Sequence, residues 1–355
     1  MKIYKRIYLL LLTHFFIVSS ISIIAQTAKP LPADKYDARE KHLKNIRQLT
    51  FSGENAEAYL SFDDKMLTFQ SREHGANCDQ IYTMTIDGEH KKLISSGKGR
   101  TTCSYYLPNG NILYATTALA DESCPTPPDP SKGYVWPLYP TYDIVVSDSS
   151  TGKILHKLTS EPNYDAEATI SPQGDKIVFT SLRSGDIELY SCNIDGSNVK
   201  QLTNESGYDG GAFYSLDGTK IVYRASRPQG KDLDNYNSLL KENLIRPKQL
   251  EIYVMDADGS NKSQITNNGK ANFAPFFHPD GKRVIFASNM ADPKGRNFDM
   301  FMINIDGTGL EQITYFEEFD GFPMFTRDGK KLVFCSNRNN SNPGDTNVFV
   351  ADWVE

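Results

Sequence analysis

The sequence is poor in the residues that small stapled or metal-built domains rely on. Five cysteines and six histidines are scattered through 355 residues. That is too few for disulfides to be the main source of stability, and the histidines have no metal-ligand spacing. Positive charge is not in excess: 38 Lys and Arg stand against 44 Asp and Glu, a net charge of −6. This excludes a non-specific nucleic-acid binder. After residue 25 no apolar run comes near 18 residues, so no later segment reads as a membrane-spanning helix. Gly-x-Ser-x-Gly and phosphate-cradling glycine loops are absent. What is present is an ordinary globular composition, 39% hydrophobic and 11% aromatic, which excludes a disordered or collagen-like chain.

Residues 1–25 read as an export leader. Lys2, Lys5 and Arg6 precede the apolar stretch Ile7–Val18, and small Ala25 is a cleavage position. The apolar stretch is short for a membrane span. The expected compartment is therefore periplasmic or extracellular, with a mature chain that does not span the membrane. Residues 26–44, with Pro30, Pro32 and many charges, read as a tether.

The rest is a repeat. One turn recurs as Phe62-Asp63-Asp64-Lys65, Pro108-Asn109-Gly110, Pro172-Gln173-Gly174, Leu216-Asp217-Gly218, Pro279-Asp280-Gly281 and Arg327-Asp328-Gly329. A second recurs at Asp87-Gly88, Thr151-Gly152, Asp195-Gly196, Asp258-Gly259 and Asp306-Gly307. Asp-Gly and Asn-Gly between apolar runs signal hairpins, because the tight turn needs positive φ. Each unit thus has four strands, A to D. The interval from each second-turn glycine to the next first-turn glycine is 22 residues in all five cases. All length variation falls in the B-to-C connection. A stacked repeat fixes its unit-to-unit passage and tolerates insertions on one face.

Six four-stranded units predict an all-β fold, a six-bladed β-propeller. The blades fall at about 51–95, 96–159, 160–203, 204–266, 267–314 and 315–355. The last unit ends after its third strand, Asn347–Ala351. The missing fourth strand is at the other end, where Ile46-Arg47-Gln48-Leu49-Thr50 matches Lys200-Gln201-Leu202-Thr203. Pairing residues 46–50 with the C-terminal strand closes the ring and leaves no long free edge.

Ser171-Pro172-Gln173-Gly174-Asp175-Lys176, Thr180-Ser181, Ile252-Tyr253-Val254-Met255, Asp258-Gly259-Ser260 and Gln201-Leu202-Thr203 resemble the repeats of the TolB-type six-bladed propellers. The resemblance covers about residues 46–355. It implies the propeller fold and a link to envelope maintenance or macromolecule transport. TolB carries a separate α/β domain ahead of its propeller. Here residues 26–44 precede the first repeat, so roles placed on that domain are not carried over.

The B-to-C and D-to-A loops share one face, and that face carries both long insertions. Blade 2 contributes Thr117–Tyr142, with Trp136 and Tyr139. Blade 4 contributes Pro228–Gln249, with Leu233, Tyr236, Leu239, Leu240 and Leu244 at roughly helical spacing before Pro247. Aligning the A strands places Asn55, Thr101, Asp165, Asp209, Asn272 and Asp320 at one position. Glu57, Cys103, Glu167, Gly211, Ala274 and Phe322 lie two residues on, and Arg100 one residue before the first set. One reading is that Asp and Asn at a strand entry bond their own backbone. The other is a channel mouth in which Glu57, Arg100, Asp165, Glu167, Asp209, Asn272 and Asp320 hold a ligand, with Trp136 and Tyr139 beside them.

Cys78, Cys103 and Cys124 gather near blades 1 and 2, where a disulfide within the trio is expected and a thiolate metal site is the rival. Cys192 and Cys335 read as core residues. Two functions follow. The first is a binding module docking an envelope protein, a peptide or a glycan at the insertion face. The second is a polysaccharide lyase or hydrolase with Glu57, Glu167 and Asp209 as acid–base groups. No cofactor is expected beyond a divalent cation among the channel acids.

Overall fold

Alternating apolar strands around Asp-Gly turns build six antiparallel sheets. The computed structural model describes residues 27–355, and the expected leader at 1–25 lies outside them. Strand A of the six blades runs Glu54–Leu60, Thr101–Tyr106, Asp165–Ile170, Asp209–Tyr214, Asn272–Phe277 and Asp320–Phe325. Blade 3 is the plain unit, adding Lys176–Ser181, Glu188–Asn193 and Lys200–Gln201 in sheet order A-B-C-D. Strand A of each blade touches strand A of the next, and that of blade 6 touches that of blade 1. The result is a closed six-bladed β-propeller.

The first turn of each blade needs a left-handed residue. Gly174 supplies it at φ 77°, and in blade 1 Asp64 takes the same place at φ 58°. Short Asp tolerates that conformation better than most side chains. Between the blades, one fully buried aromatic sits at the same position of every B strand: Phe69, Tyr114, Phe179, Tyr223, Phe286 and Phe334. In five blades it faces another aromatic on strand C, with ring centroids 5.5–6.1 Å apart. Each such pair adds about 0.5–1.5 kcal/mol beyond its buried area.

Strand D is short, yet it holds strand C in the same way each time. Backbone N–H groups of Ile81, Ile144, Leu189, Ile252 and Met300 donate to the hydroxyls of Ser95, Thr159, Thr203, Thr266 and Thr314 at 2.8–3.0 Å. In blade 6 the N–H of Val348 donates to Thr50 Oγ1 at 2.9 Å, so the hydroxyl comes from the other end of the chain. Leu43–Gln48 lies antiparallel to Asn347–Trp353, pairing Gln48 with Phe349 and Leu43 with Trp353. The N–H of Leu49 continues the ladder to Val348 O at 2.8 Å. The strand thus begins earlier than residue 46, across a bulge at Asn45.

The segment read as a tether at 26–44 is packed where described. Lys29–Pro30 adds a fifth strand to blade 6. Leu31 and Leu43 are buried. Glu40 reaches Arg338, which is 0% exposed. Arg338 donates to Glu40 at 2.9 and 3.0 Å and to Asp320 at 2.8 Å. Composition misled here because charged residues in a buried pair look the same as charged residues in a solvated linker. Burial, with Asp320 and Glu40 nearby, pushes the neighbouring Asp299 carboxyl up to about 8, against the pull of Arg338.

Two outcomes follow from this packing. Thr50→Val leaves the buried N–H of Val348 without an acceptor. It should lower unfolding free energy by about 1–3 kcal/mol, read by urea denaturation, and by as much as Thr203→Val inside blade 3. A neutral Thr50→Val contradicts the closure. Folded Asp299 keeps its proton where the unfolded chain has lost it, so its contribution declines as pH rises from about 4 to about 8. The stability of Asp299→Asn relative to the native sequence should therefore rise between pH 5 and pH 8. An offset that stays constant with pH contradicts this.

Candidate functional site

Three successive layers of strand A face the propeller axis or its seams. The first is Asn55, Thr101, Asp165, Asp209, Asn272 and Asp320, all essentially buried. These were candidates for a ligand ring, and the structure corrects that placement. Asp165 accepts from Arg183 at 3.1 and 3.2 Å, Asp209 from Arg227 at 2.8 and 3.2 Å, and Asp320 from Arg338. Asn55 donates to the carbonyls of Ser52 and Thr346, and Asn272 to that of Leu250. The Thr101 hydroxyl donates to Asp79 O. None of the six lines the central chamber. Arg100 pairs with Asp79 at 3.3 Å, also away from the chamber.

The arginines were missed, although the repeat carries the signal. Each paired arginine lies 18 residues after its aspartate. Where the first position is Asn or Thr, position +18 holds Glu73, Leu119 or Met290 instead. Acid and base covary within this one chain.

The second layer does face the axis. Glu57, Cys103, Glu167, Gly211, Ala274 and Phe322 all have φ between 46° and 61°. Each sits in a bulge where the A–B register slips. A bulge re-aims the side chain, and all six residues line one chamber. Arg224 joins them from strand B, paired with Glu167. Glu167 also accepts from Thr180 at 2.7 Å, from Tyr208 at 2.9 Å and from the N–H of Gly211 at 3.1 Å. Gly210 and Gly211 make this possible. A Cβ on Gly210 would sit 2.3 Å from the Tyr208 hydroxyl and 2.6 Å from Glu167, and one on Gly211 would sit 2.8 Å from the Arg224 guanidinium.

Glu57 faces the same chamber. Burial pushes its carboxyl up to about 7, with Cys103 hydrogen bonding opposing and the charge of Glu167 reinforcing. Burial also raises the Cys103 thiol. The free space is about 20 Å³, room for one water molecule or a small ion. Glu57 and Glu167 are the groups that could hold such an ion.

The third layer closes the axis below. Tyr59 of blade 1 lies edge-on to Phe213 of blade 4 at 5.2 Å, with Tyr105 and Phe276 packed beside them at 5.7 and 5.3 Å. Above the chamber, the two insertions meet. Trp136–Pro137 of blade 2 pairs antiparallel with Leu244–Ile245 of blade 4. The N–H of Leu138 donates to Asn243 O at 2.8 Å, and Arg246 donates to the carbonyls of Lys132 and Tyr134. The expected helix forms at Lys231–Leu240, burying Tyr236 and Leu239, but it ends before Leu244, which lies in a strand instead. Trp136 covers Arg224 at 5.1 Å. Trp136 and Tyr139, expected on the loop face beside a ligand, are half-buried in the packing of this cap. The exposed ring is Tyr134, at 70%.

Cys78 and Cys124 form the disulfide, tying the blade 1 loop to the blade 2 insertion. Cys103 is left out because its bulge turns it into the chamber. Cys192 and Cys335 are buried and free, as expected. Among the described residues, Glu188, Glu205 and Asp209 bring carboxylate oxygens within 4.8 Å of one another. Their cation is already present: Arg227 pairs with Asp209 at 2.8 Å and with Glu205 at 3.8 Å. Burial raises both Glu188 and Asp209. No helix of the described residues is long and apolar enough to cross a membrane.

Residues 244–352 match the family model described as the TolB beta propeller domain. TolB from Acinetobacter baumannii is 18% identical over 82% of this chain and 64% of its own, with a TM-score of 0.57. The TolB candidate of Agrobacterium tumefaciens is 19% identical over 85% of this chain and 91% of its own, at 0.53. Hydrazine synthase of Kuenenia stuttgartiensis is 15% identical over 82% of this chain and 44% of its own, at 0.54. The chain therefore spans 64% of the length of the Acinetobacter protein. At such identities the likeness speaks for fold, and one fold hosts unrelated functions. The chain is a six-bladed β-propeller whose repeats resemble those of the TolB-type propellers, matched directly by that family's model over residues 244–352.

Proposed function

We propose that the chain is a binding module of the bacterial cell envelope, docking a protein partner on its insertion face. One observation carries this reading. Insertions from blades 2 and 4, separated by the whole of blade 3, meet strand to strand on one face. The axial channel is meanwhile plugged by Tyr59 and Phe213. Loops displayed on a rigid scaffold are where recognition concentrates. The resemblance to TolB supports a protein as partner and macromolecule transport as the process served. The leader pattern of residues 1–25 and the Cys78–Cys124 disulfide support the periplasm or the cell exterior.

A polysaccharide lyase or hydrolase fits less well. Glu57 and Glu167 share the chamber, and the raised Glu57 suits a general acid. Yet space for about one water molecule admits no sugar ring. Asp209 is held by Arg227 outside that chamber.

The test compares the faces. The full chain is immobilised and envelope extract is passed over it, with Tyr134→Glu altering the insertion face and Leu216→Glu the turn face. Tyr134→Glu should weaken capture of the partner by about fivefold or more, a loss of about 1 kcal/mol. Leu216→Glu should leave capture near the native level. The reverse pattern places docking on the turn face and ends this proposal.

A further inference from the structure

The cap leaves part of the insertion face open. Tyr134, Arg246 and Lys248 on the cap face Phe273, Asn289 and Phe298 on blade 5 across a groove of about 340 Å³. That is within the range of formed ligand sites. No acidic residue lines it, in a chain whose net charge is −6. Arg246 is fixed by donating to Lys132 O at 2.8 Å and Tyr134 O at 3.2 Å. Those acceptors are neutral carbonyls, and the acids Asp232 and Glu251 lie in the adjoining pocket that Arg246 and Lys248 also border. Lys248 is exposed, and among the described residues neither cation makes a salt bridge.

The aromatic floor has a definite presentation. Phe273 lies between Trp136, at 5.2 Å, and Phe298, stacked at 5.1 Å with planes 24° apart. Phe298 in turn leans on Phe319 at 6.2 Å. Phe273 is thus packed against two other rings, and the Arg224 guanidinium also lies over it, 5.9 Å from its centroid. Ring edges carry partial positive charge and accept apolar side chains or anionic oxygens.

We propose that this groove binds an acidic segment of a partner polypeptide, with its carboxylates on Arg246 and Lys248 and an apolar side chain between Phe273 and Phe298. The inference rests on the docking function above and names the chemistry of the partner. The cationic rim supplies ion pairs that salt screens, and the apolar anchor supplies a contact that salt does not weaken.

Random dodecapeptides displayed on phage are selected on the full chain at low salt, and the enriched sequences are remade as free peptides. The expected winners carry several Asp or Glu and at least one aromatic or branched aliphatic residue. Their affinity should fall about fivefold or more in Lys248→Glu, by a smaller factor in Lys248→Ala, and again at about 0.5 M salt. Enrichment of neutral or basic peptides, no enrichment, or affinities unmoved by Lys248→Glu would overturn the proposal. So would binding of alginate that depends on Lys248 while no peptide is enriched, which assigns the groove to an anionic glycan. A captured envelope protein that depends on Tyr134 but is not displaced by acidic peptides leaves the docking function standing and removes only this inference.

Discussion

The fold depends on a contact between residues almost three hundred positions apart. Blade 6 draws its strands from both ends of the chain, so its sheet is completed only by pairing Leu43–Gln48 with Asn347–Trp353. The Thr50 hydroxyl takes the N–H of Val348 as Thr203 takes that of Leu189 within blade 3. Without that pairing the C-terminal strand is an edge with unpaired backbone groups. The extra strand Lys29–Pro30 and the Glu40–Arg338 pair thicken the closure from outside. Ring geometry, axial layers and the meeting of two distant insertions on one face all follow from it.

Inside the ring, polar residues are used against each other. Asp165, Asp209 and Asp320 hold Arg183, Arg227 and Arg338 at the seams, and Glu167 holds Arg224 in the chamber. Removing one partner of such a pair strands a buried charge, which costs more than the pair itself gains. The axis of a propeller is a natural place for a ligand, but here it is filled by Tyr59 and Phe213 below and covered by Trp136 above. On the insertion face an open groove remains between the cap and blade 5, where Arg246 and Lys248 make no salt bridge among the described residues.

The blade count and the closing strand were legible because they are local. Asp-Gly turns and Gln-Leu-Thr strands declare themselves over a few residues, and their even spacing supplies the rest. The channel was legible only in part. Glu57 and Glu167 were named as candidates and do meet. Asp165 and Asp209 were named with them and do not, because a bulge of one residue decides which side chain points inward. The arginine at +18 is visible in the repeats once strand A is aligned to the residues after strand B. The packed segment 27–44 and the joining of Trp136 to Ile245 lie outside any repeat, so no internal comparison could reveal them.

Hydrogen exchange at single amides tests the closed ring most directly. The amides of Leu49 and Val348 join chain ends, whereas Leu202 and Leu189 occupy the same places within blade 3. The account predicts that the two pairs are protected to the same extent, within about a factor of ten. Exchange of Leu49 and Val348 at the rate of a frayed terminus, with blade 3 still protected, would contradict it.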